Sequence, residues 1–584
     1  MPKRTLLFIL LILTVNYGCT QSTKKTSAER IPLNQIGYYP NAPKSAVVID
    51  DNATEFYIVA KGTGKEVYRG KLSEVRKSIF SDKKTRIADF SSFTTPGTYA
   101  VVVPQTGESY PFEIKQHVHD AVAKASIKAF YFQRLSTALP EQYAGKWHRA
   151  FSHPDNKVIV HASAASDTRP TGAIISSPKG WLDAGDYNKY IVNSGITMGT
   201  LLSAYEDFPV YFDALALSIP ESGNDVPDVL DEVLWNLRWM LTMQDPGDGG
   251  VYHKLTNEKF DGMIMPDKAT RPRYVVQKGT AATLDFAAVT AQAARVFKKF
   301  DKQLPGLSDS CLTAAAKAWQ WAQKNPNIVY DQNAMNRAFD PDVTTGGYGD
   351  QNFSDEFVWA ASELYTTTKD EQYFSSINLL PDHAVQLPAW AQVHLLGYYT
   401  LIRFQSSLPA TAQQKIETMK SSVVKFADAL INGVDTRAFN SVMGKSAKDY
   451  IWGSSSVAAN QGIELIQAYK ITNDKKYLDY ALTNLDFLLG KNGTGYSFVT
   501  GYGDKTPMHP HHRPSIADGV VDPIPGLIAG GPNPGMQDHC KYASSVPDEA
   551  YTDDDCSYAS NEIAVNWNAP FSYLVCAQEA LQAK

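Results

Sequence analysis

Two stretches of this chain follow one template. In LYTTTKDEQYF (Leu364–Phe374) and AYKITNDKKYL (Ala468–Leu478), a Tyr closing one apolar-periodic run is followed five residues later by Asp and eight later by Tyr. Each reads as a helix, a tight turn capped by Asp370 or Asp474, and a second helix. A lone hairpin of this kind cannot bury its apolar face, whereas a series of them can by stacking. Helical periodicity begins near His117. In Asp225–Asp245, Val226, Leu230, Leu234, Leu237 and Leu241 share a face. In SDEFVWAASELY, Ser354 reads as the cap of a helix with Phe357, Ala361 and Leu364 in register. The expectation is an α/α toroid whose loops at one end form a cleft, with an open helical solenoid as the alternative.

Before that switch the period is that of strands. Ile31 to Lys115 carries short aromatic and β-branched runs, such as Phe56–Ala60 and Thr98–Val103. Turn signals separate them at Gly62–Lys65, Thr95–Gly97 and Gln105–Glu108. A small β-sandwich is expected, serving as a packing or spacer domain rather than a catalytic one. A length of 584 residues also argues for more than one domain.

The chain opens with Lys3 and Arg4, an apolar run from Leu6 to Val15 that is too short to span a bilayer, then Gly18 and Cys19. This pattern resembles a bacterial lipoprotein signal, with Cys19 as the lipidated first residue of the mature chain. An ordinary secretory signal is the alternative. Export is expected on both readings, with the membrane engaged only through the anchor, on the periplasmic or the cell-surface face of an outer membrane. The expected layout is a signal peptide at 1–19, a linker at 20–30, the sandwich at 31–115 and the helical domain at 116–584. An exported compartment permits a Cys540–Cys556 bridge, while Cys311 and Cys576 sit in helical patterns as buried thiols. A net charge of −6 with no long basic run after the N-terminus gives no footprint for nucleic acid. A monomer is expected.

The chemistry concentrates in two acidic stretches. GWLDAGDYNKY (Gly180–Tyr190) sets Asp183 and Asp186 three apart among Trp181, Tyr187 and Tyr190. Paired carboxylates in a turn can face one water and accept its proton. Read blandly, Asp-Ala-Gly-Asp is a solvated turn, but such a turn seldom carries three large aromatics. YTDDDCSYASNEIAVNWNA (Tyr551–Ala569) places Glu562 in an apolar run, where its carboxyl would be held protonated as a general acid requires. By itself that segment would read as a salt-bridged helix glutamate. Together the two stretches supply the base and acid of inverting sugar hydrolysis, whose carboxyls stand about 6.5–9.5 Å apart. No zinc-protease, nucleophile-elbow or P-loop motif is present.

These stretches, with a third at Ser497–Ser515, resemble glycoside hydrolase family 9. Pro510, His511, His512 and Arg513 match the family's His-x-Arg motif. Tyr551, Asp553, Tyr558, Glu562, Ala564, Asn568 and Ala569 fill its C-terminal pattern. Ile31–Val48 resembles the opening of the immunoglobulin-like module that precedes one subgroup. The resemblance implies an immunoglobulin-like β-sandwich followed by an (α/α)6 barrel, inversion at the anomeric carbon, and a β-1,4-glucan as substrate. It implies Asp186 as general base, Asp183 as its aid in holding water, and Glu562 as general acid. It implies His511 and Arg513 as sugar contacts, with Tyr558 and Trp452 as further candidates.

No cofactor is needed for this chemistry. Relatives that hold zinc do so through two cysteines and two histidines. Here His153 and His161 remain, but Leu135 and Ser152 stand at the apparent cysteine positions, so zinc is not expected. Asp355 and Glu356 resemble part of a structural calcium site, and an acidic ligand is replaced near Trp390–Gln392. Their plain reading is first-turn helix charge. His509, His511 and His512 lack the spacing of a structural metal site. We therefore expect an endo-acting β-glucanase for cellulose-type, mixed-linkage or xyloglucan chains. Inserts at Ile159–Pro178 or Val521–Ala550 could instead close one end and make it exo-acting. Asp553–Asp555 would suit a glucosaminidase, and a non-catalytic glycan-binding lipoprotein is the remaining alternative.

Overall fold

The computed structural model describes residues 26–49, 52–380 and 385–582. Cys19 lies outside these residues. The first unit is a two-sheet sandwich of nine strands. These are β1 (Gly37–Tyr38), β2 (Ser45–Ile49), β3 (Glu55–Ala60), β4 (Glu66–Lys71), β5 (Arg76–Lys77), β6 (Lys84–Asp89), β7 (Gly97–Val103), β8 (Gly107–Glu108) and β9 (Phe112–Ile114). One sheet runs β1-β9-β7-β3-β4 with β8 beside β7, and the other runs β2-β6-β5. Alternation decides which side chains enter: Phe56 and Ile58 of β3 meet Val101 and Val103 of β7 in one apolar core.

With shorter helical turns in its connections, the barrel of the second unit is made by twelve helices. They are α1 (Asp120–Phe132), α2 (Ile191–Asp207), α3 (Asp228–Thr242), α4 (Thr280–Phe297), α5 (Leu307–Lys324), α6 (Ser354–Thr368), α7 (Glu371–Ser375), α8 (His394–Arg403), α9 (Ala410–Ile431), α10 (Ser454–Thr472), α11 (Lys475–Leu488) and α12 (Val565–Gln582). The even-numbered helices form an inner ring in which α12, α2, α4, α6 and α8 pack in succession and α10 returns to α12. Tyr399 of α8 donates to Glu464 of α10 across the remaining junction. The odd-numbered helices lie outside. The sequence shows why. Inner α4 is buried almost all round, rich in Ala, and inner α2 carries Gly195 and Gly199 where Asp285 and Trp359 approach. Outer α9 buries only one stripe, Ala412, Ile416, Met419, Val423, Ala427 and Leu430. The arrangement is an (α/α)6 barrel, and the solenoid alternative falls because the ring closes.

Asp370 and Asp474 cap α7 and α11 as their spacing predicts, each accepting from the backbone two residues on. The Ser354 cap does not form. Ser354 is already the first helical residue, and its hydroxyl donates to Asn352 Oδ1, which also accepts the Ser354 N–H. Asn352 thus does the work expected of the serine. The Cys540–Cys556 bridge is present, and Cys311 and Cys576 are buried free thiols.

The barrel has two unlike ends. At the C-termini of the inner helices, Glu206, Asp207 and Glu363 interlock with Arg295, Arg403 and Lys470. Asp207, its side chain buried, accepts from Arg403 at 2.8 and 2.7 Å and from Tyr573 at 2.6 Å. Cations suit the negative ends of these helices. The opposite end carries the long connections. There a small sheet pairs β10 (Val158–Val160), β11 (Ile174–Ile175), β12 (Lys189–Tyr190), β13 (Lys254–Thr256) and β14 (Tyr274–Val275). The two acidic stretches also meet at this end.

Candidate active site

The DAGD loop is pinned at both ends. Trp181 bridges to Arg134, Leu182 N–H donates to Gln133 O, and β12 pairs with β13. Trp181, Tyr187 and Tyr190 are buried, so the aromatics that mark this motif are its foundations. Between the pins, Asp183 N–H donates to Asn188 O and closes a turn.

Two remote segments clasp that turn. Val565 N–H at the start of α12 donates to Asp183 O at 2.9 Å. Arg513 donates to Gly185 O through its backbone N–H and, at 2.8 Å, through Nη1. Gly185 N–H reaches Glu562 Oε1 at 3.4 Å. His511 pairs with Glu562 as a short parallel bridge, with His511 N–H donating to Asn561 O at 2.9 Å. Gly185 has to be glycine, because a Cβ there would lie 2.3 Å from His511 O. The segment before Glu562 is held by the disulfide and by Asp538, which accepts from Ser557, Tyr542 and Ala559 N–H.

Asp183, Asp186 and Glu562 line one cleft of about 870 Å³ with Tyr190, Tyr348, Trp390, Trp452 and Trp567. Asp186 accepts at Oδ2 from Asn188 N–H, Asn188 Nδ2 and Tyr190 OH. Asp183 accepts from Asn193 Nδ2 at 3.0 and 3.1 Å and from Tyr348 OH at 2.9 Å. Burial and the neighbouring Asp186 push the Asp183 carboxyl up to about 8. Burial, with Asp186 and Asp183 nearby, holds Glu562 well above the usual carboxylate range.

The other candidates divide. Trp452 is 43% exposed in the cleft, with the Tyr558 ring 5.3 Å away and His511 6.1 Å beyond that. Tyr558 OH donates to Gln537 O, and His511 Nδ1 contacts Asp555 O. Arg513 is buried and engaged by backbone, donating also to Asp261 O, so it stands behind the catalytic turn. Asp553 is spent on the backbone N–H groups of Met508 and His509 and on Asn561 Nδ2. Asp554 Oδ1 accepts from Cys556 N–H. Neither is left aimed at an amino sugar. None of the described residues lining the cleft comes from Ile159–Pro178 or Val521–Ala550.

Asp355 and Glu356 belong to a second acidic group. Asp355 Oδ2 accepts from Val393 N–H at the start of α8. Its Oδ1, both oxygens of Glu356, both of Asp285 and Asp350 Oδ2 are buried with no hydrogen-bond partner among the described residues. Burial and mutual repulsion with Asp355 push Glu356 and Asp285 well above the usual range. As they stand, no three His, Cys, Asp or Glu side chains among the described residues close on one metal position. The oxygen-only donor set still suits a hard cation. At the other candidate metal region, Leu135 packs with Leu182 and Tyr187, and His161 is tied to Ser163 and Pro341 O.

Tyr348, Asn188 and Asn193 carry site functions that the sequence reading missed. Gly346-Gly347-Tyr348-Gly349, a glycine cluster around one aromatic, was the available signal for Tyr348.

Against this geometry the comparisons are specific. A model described as glycosyl hydrolase family 9 matches residues 119–575, and one described as the cellulase N-terminal ig-like domain matches 26–108. The chain belongs to glycosyl hydrolase family 9. It is similar to a xyloglucan-specific endo-β-1,4-glucanase of Bacteroides ovatus, 46% identical over 97% of this chain and 96% of that protein. Endoglucanase D of Acetivibrio thermocellus is 34% identical over 93% of this chain and 82% of its own length. A solved structure titled Bacteroides ovatus GH9 superposes with a TM-score of 0.91 at 45% identity, covering 95% of this chain and all of that one. As a family 9 member with these relatives, the chain is a glycoside hydrolase with endoglucanase activity.

The clasp makes a sharp demand. Gly185→Ala should lower kcat/KM by about 100-fold or more, since displacing a reacting group by an ångström has that effect. Steady-state kinetics beside circular dichroism checks it; wild-type rates in a folded variant would show that the close approach to His511 does not matter.

Proposed function

We propose that this family 9 enzyme cleaves the β-1,4-linked backbone of xyloglucan internally, with inversion at the anomeric carbon. The observation that carries the mechanism is one cleft holding a carboxylate rich in donors beside a buried carboxyl almost without them. Asp186, held at Oδ2 by Asn188 and Tyr190, is the general base, and its Oδ1 is left for the attacking water. Asp183, held by Asn193 and Tyr348, keeps a proton beside that anion and orients the same water. Glu562 is the general acid: its carboxyl stays protonated and passes the proton to the leaving glycosidic oxygen as water attacks the opposite face. Trp452 and Tyr558 offer flat apolar faces to sugar rings, and His511 borders the acid. Xyloglucan is favoured over the other β-glucans by the 46% identity to an enzyme named for it.

Because Glu562 is raised, kcat/KM should hold through neutral pH and fall on the alkaline side as this carboxyl loses its proton. Glu562→Gln should lose about three orders of magnitude or more on xyloglucan. Proton NMR of the first products should show the α-anomer appearing first. Initial β-anomer would overturn inversion, and activity on mixed-linkage glucan without xyloglucan would overturn the substrate.

Calcium fits the second acidic group. Asp350, Asp355, Glu356 and Asp285 would hold it, and the ion would supply neutralising charge and fasten the loop that carries Tyr348. Calcium should raise the melting temperature by several degrees, consistent with about 1–3 kcal/mol of linkage, and Glu356→Gln should abolish the rise. An unchanged melting temperature in calcium and in chelator would exclude a bound structural ion.

Export with lipidation at Cys19 is supported by the signal-like start and by the disulfide, which suits an oxidising compartment. The full chain should fractionate with membranes and take up labelled fatty acid, and Cys19→Ala should release it. Soluble, unlabelled wild-type protein would leave only the ordinary secretory reading.

A further inference from the structure

Trp452 stands at the end of the long connection between α9 and α10, which contains only two short 3-10 turns, Val434–Thr436 and Ala447–Asp449. Long connections of this kind need tertiary support if they carry function. Within the barrel, Arg437 anchors the first half by donating to Leu430 O, Asn432 O, Ser441 O and Val442 O. At the far end, a Cβ on Gly453 would lie 2.6 Å from Trp567 Nε1, which fixes where the chain leaves toward α10.

The middle is supported from the other domain. Arg76 of β5 donates to Arg437 O at 3.1 Å and to Asn440 Oδ1 at 3.0 Å. Thr85 of β6 donates to Ala438 O at 2.7 Å. Val47, Ile49 and Ile87 of the sandwich share an apolar cluster with Ala438 and Phe439 of the connection. Phe80, in the turn between β5 and β6, meets the buried Tyr450 edge-on with ring centroids 5.4 Å apart. Tyr450 is two residues before Trp452, and its backbone is set by Ser446 and Asp449, which cap each other's turn.

We infer that Phe80 of the immunoglobulin-like domain is a positioning residue for sugar binding, acting through Tyr450 to hold the exposed Trp452 ring at its place in the cleft. The sandwich is thereby part of the substrate-binding apparatus, although it contributes no residue to the cleft lining. The inference rests on the proposed role of Trp452 as a sugar platform. An edge-on aromatic pair contributes enough to matter at this scale, and its loss would remove one wall of the packing that sets the Tyr450 ring two residues before Trp452.

A double-mutant cycle tests it. Wild type, Phe80→Ala, Trp452→Ala and the double variant are assayed on whichever of xyloglucan and mixed-linkage glucan the wild type hydrolyses faster, with melting temperatures recorded. Phe80→Ala should raise KM about three- to tenfold with kcat largely kept, and should have no further effect once Trp452 is gone. Phe80→Leu, which keeps apolar bulk, should show a smaller rise and serves if Phe80→Ala does not fold. An unchanged KM in the Phe80 variants, or the same fold-change with and without Trp452, overturns the inference. If Trp452→Ala alone leaves KM unchanged, the platform role itself fails, which is a separately readable result.

Discussion

The catalytic end of this molecule depends on the absence of one methyl group. Gly185 is approached by His511 O more closely than any side chain would permit, and that approach lets strands from three parts of the chain share one backbone network. Through it the turn bearing Asp183 and Asp186 is tied to Glu562, to Arg513 and to the first residue of α12. Arg513 is central to this in a way its charge does not suggest. Its donors serve the carbonyls of Gly185 and Asp261, so it fixes the geometry of the turn that bears the carboxylates. Preorganisation here is mostly backbone meeting backbone, which costs little conformational freedom at the moment of reaction.

The two ends of the barrel show how the same burial can be used in opposite ways. At the C-terminal ends of the inner helices, every buried carboxylate named above faces a cation or a tyrosine, and the network joins α2, α4, α6, α8, α10 and α12. At the N-terminal ends, Asp183, Glu562, Glu356 and Asp285 make no salt bridge with a side chain among the described residues, and burial pushes them toward the protonated form. Buried acids without counter-charges oppose folding. Their concentration at one end, beside the cleft, is where chemistry needs groups of altered acidity. The locked end supplies the rigid frame against which that strained end is tolerated.

Much of this was legible in residue patterns, for reasons that can be named. Asp370 and Asp474 act locally, two residues from the groups they cap, so spacing alone located both turns. Ser354 failed as a cap because the helix begins at Ser354 itself and its hydroxyl donates to Asn352 Oδ1 instead of accepting from the first turn, an outcome that propensity does not resolve. The carboxylates were found because their aromatic and apolar neighbours were adjacent in sequence. Tyr348 was not, since its links to the motif, a hydrogen bond to Asp183 and an edge-on contact with Tyr190, span more than 150 residues of sequence. The engagement of Arg513 and Asp553 with backbone was invisible for the same reason: a motif identifies a residue type, and only the fold decides what its donors and acceptors meet.

The division of labour between the carboxyls follows from counting donors. Asp186 receives three hydrogen bonds at one oxygen. Glu562 receives one long bond from Gly185 N–H and lies in apolar surroundings close to two other acids, all but the first of which favour its proton. Asp183 sits between these cases, with side-chain donors from Asn193 and Tyr348 but an acid for a neighbour. A base and a protonated acid can therefore stand in one cleft. Burial and the neighbouring acids hold the proton on Glu562, while Asn188 and Tyr190 bring the donors that Asp186 receives.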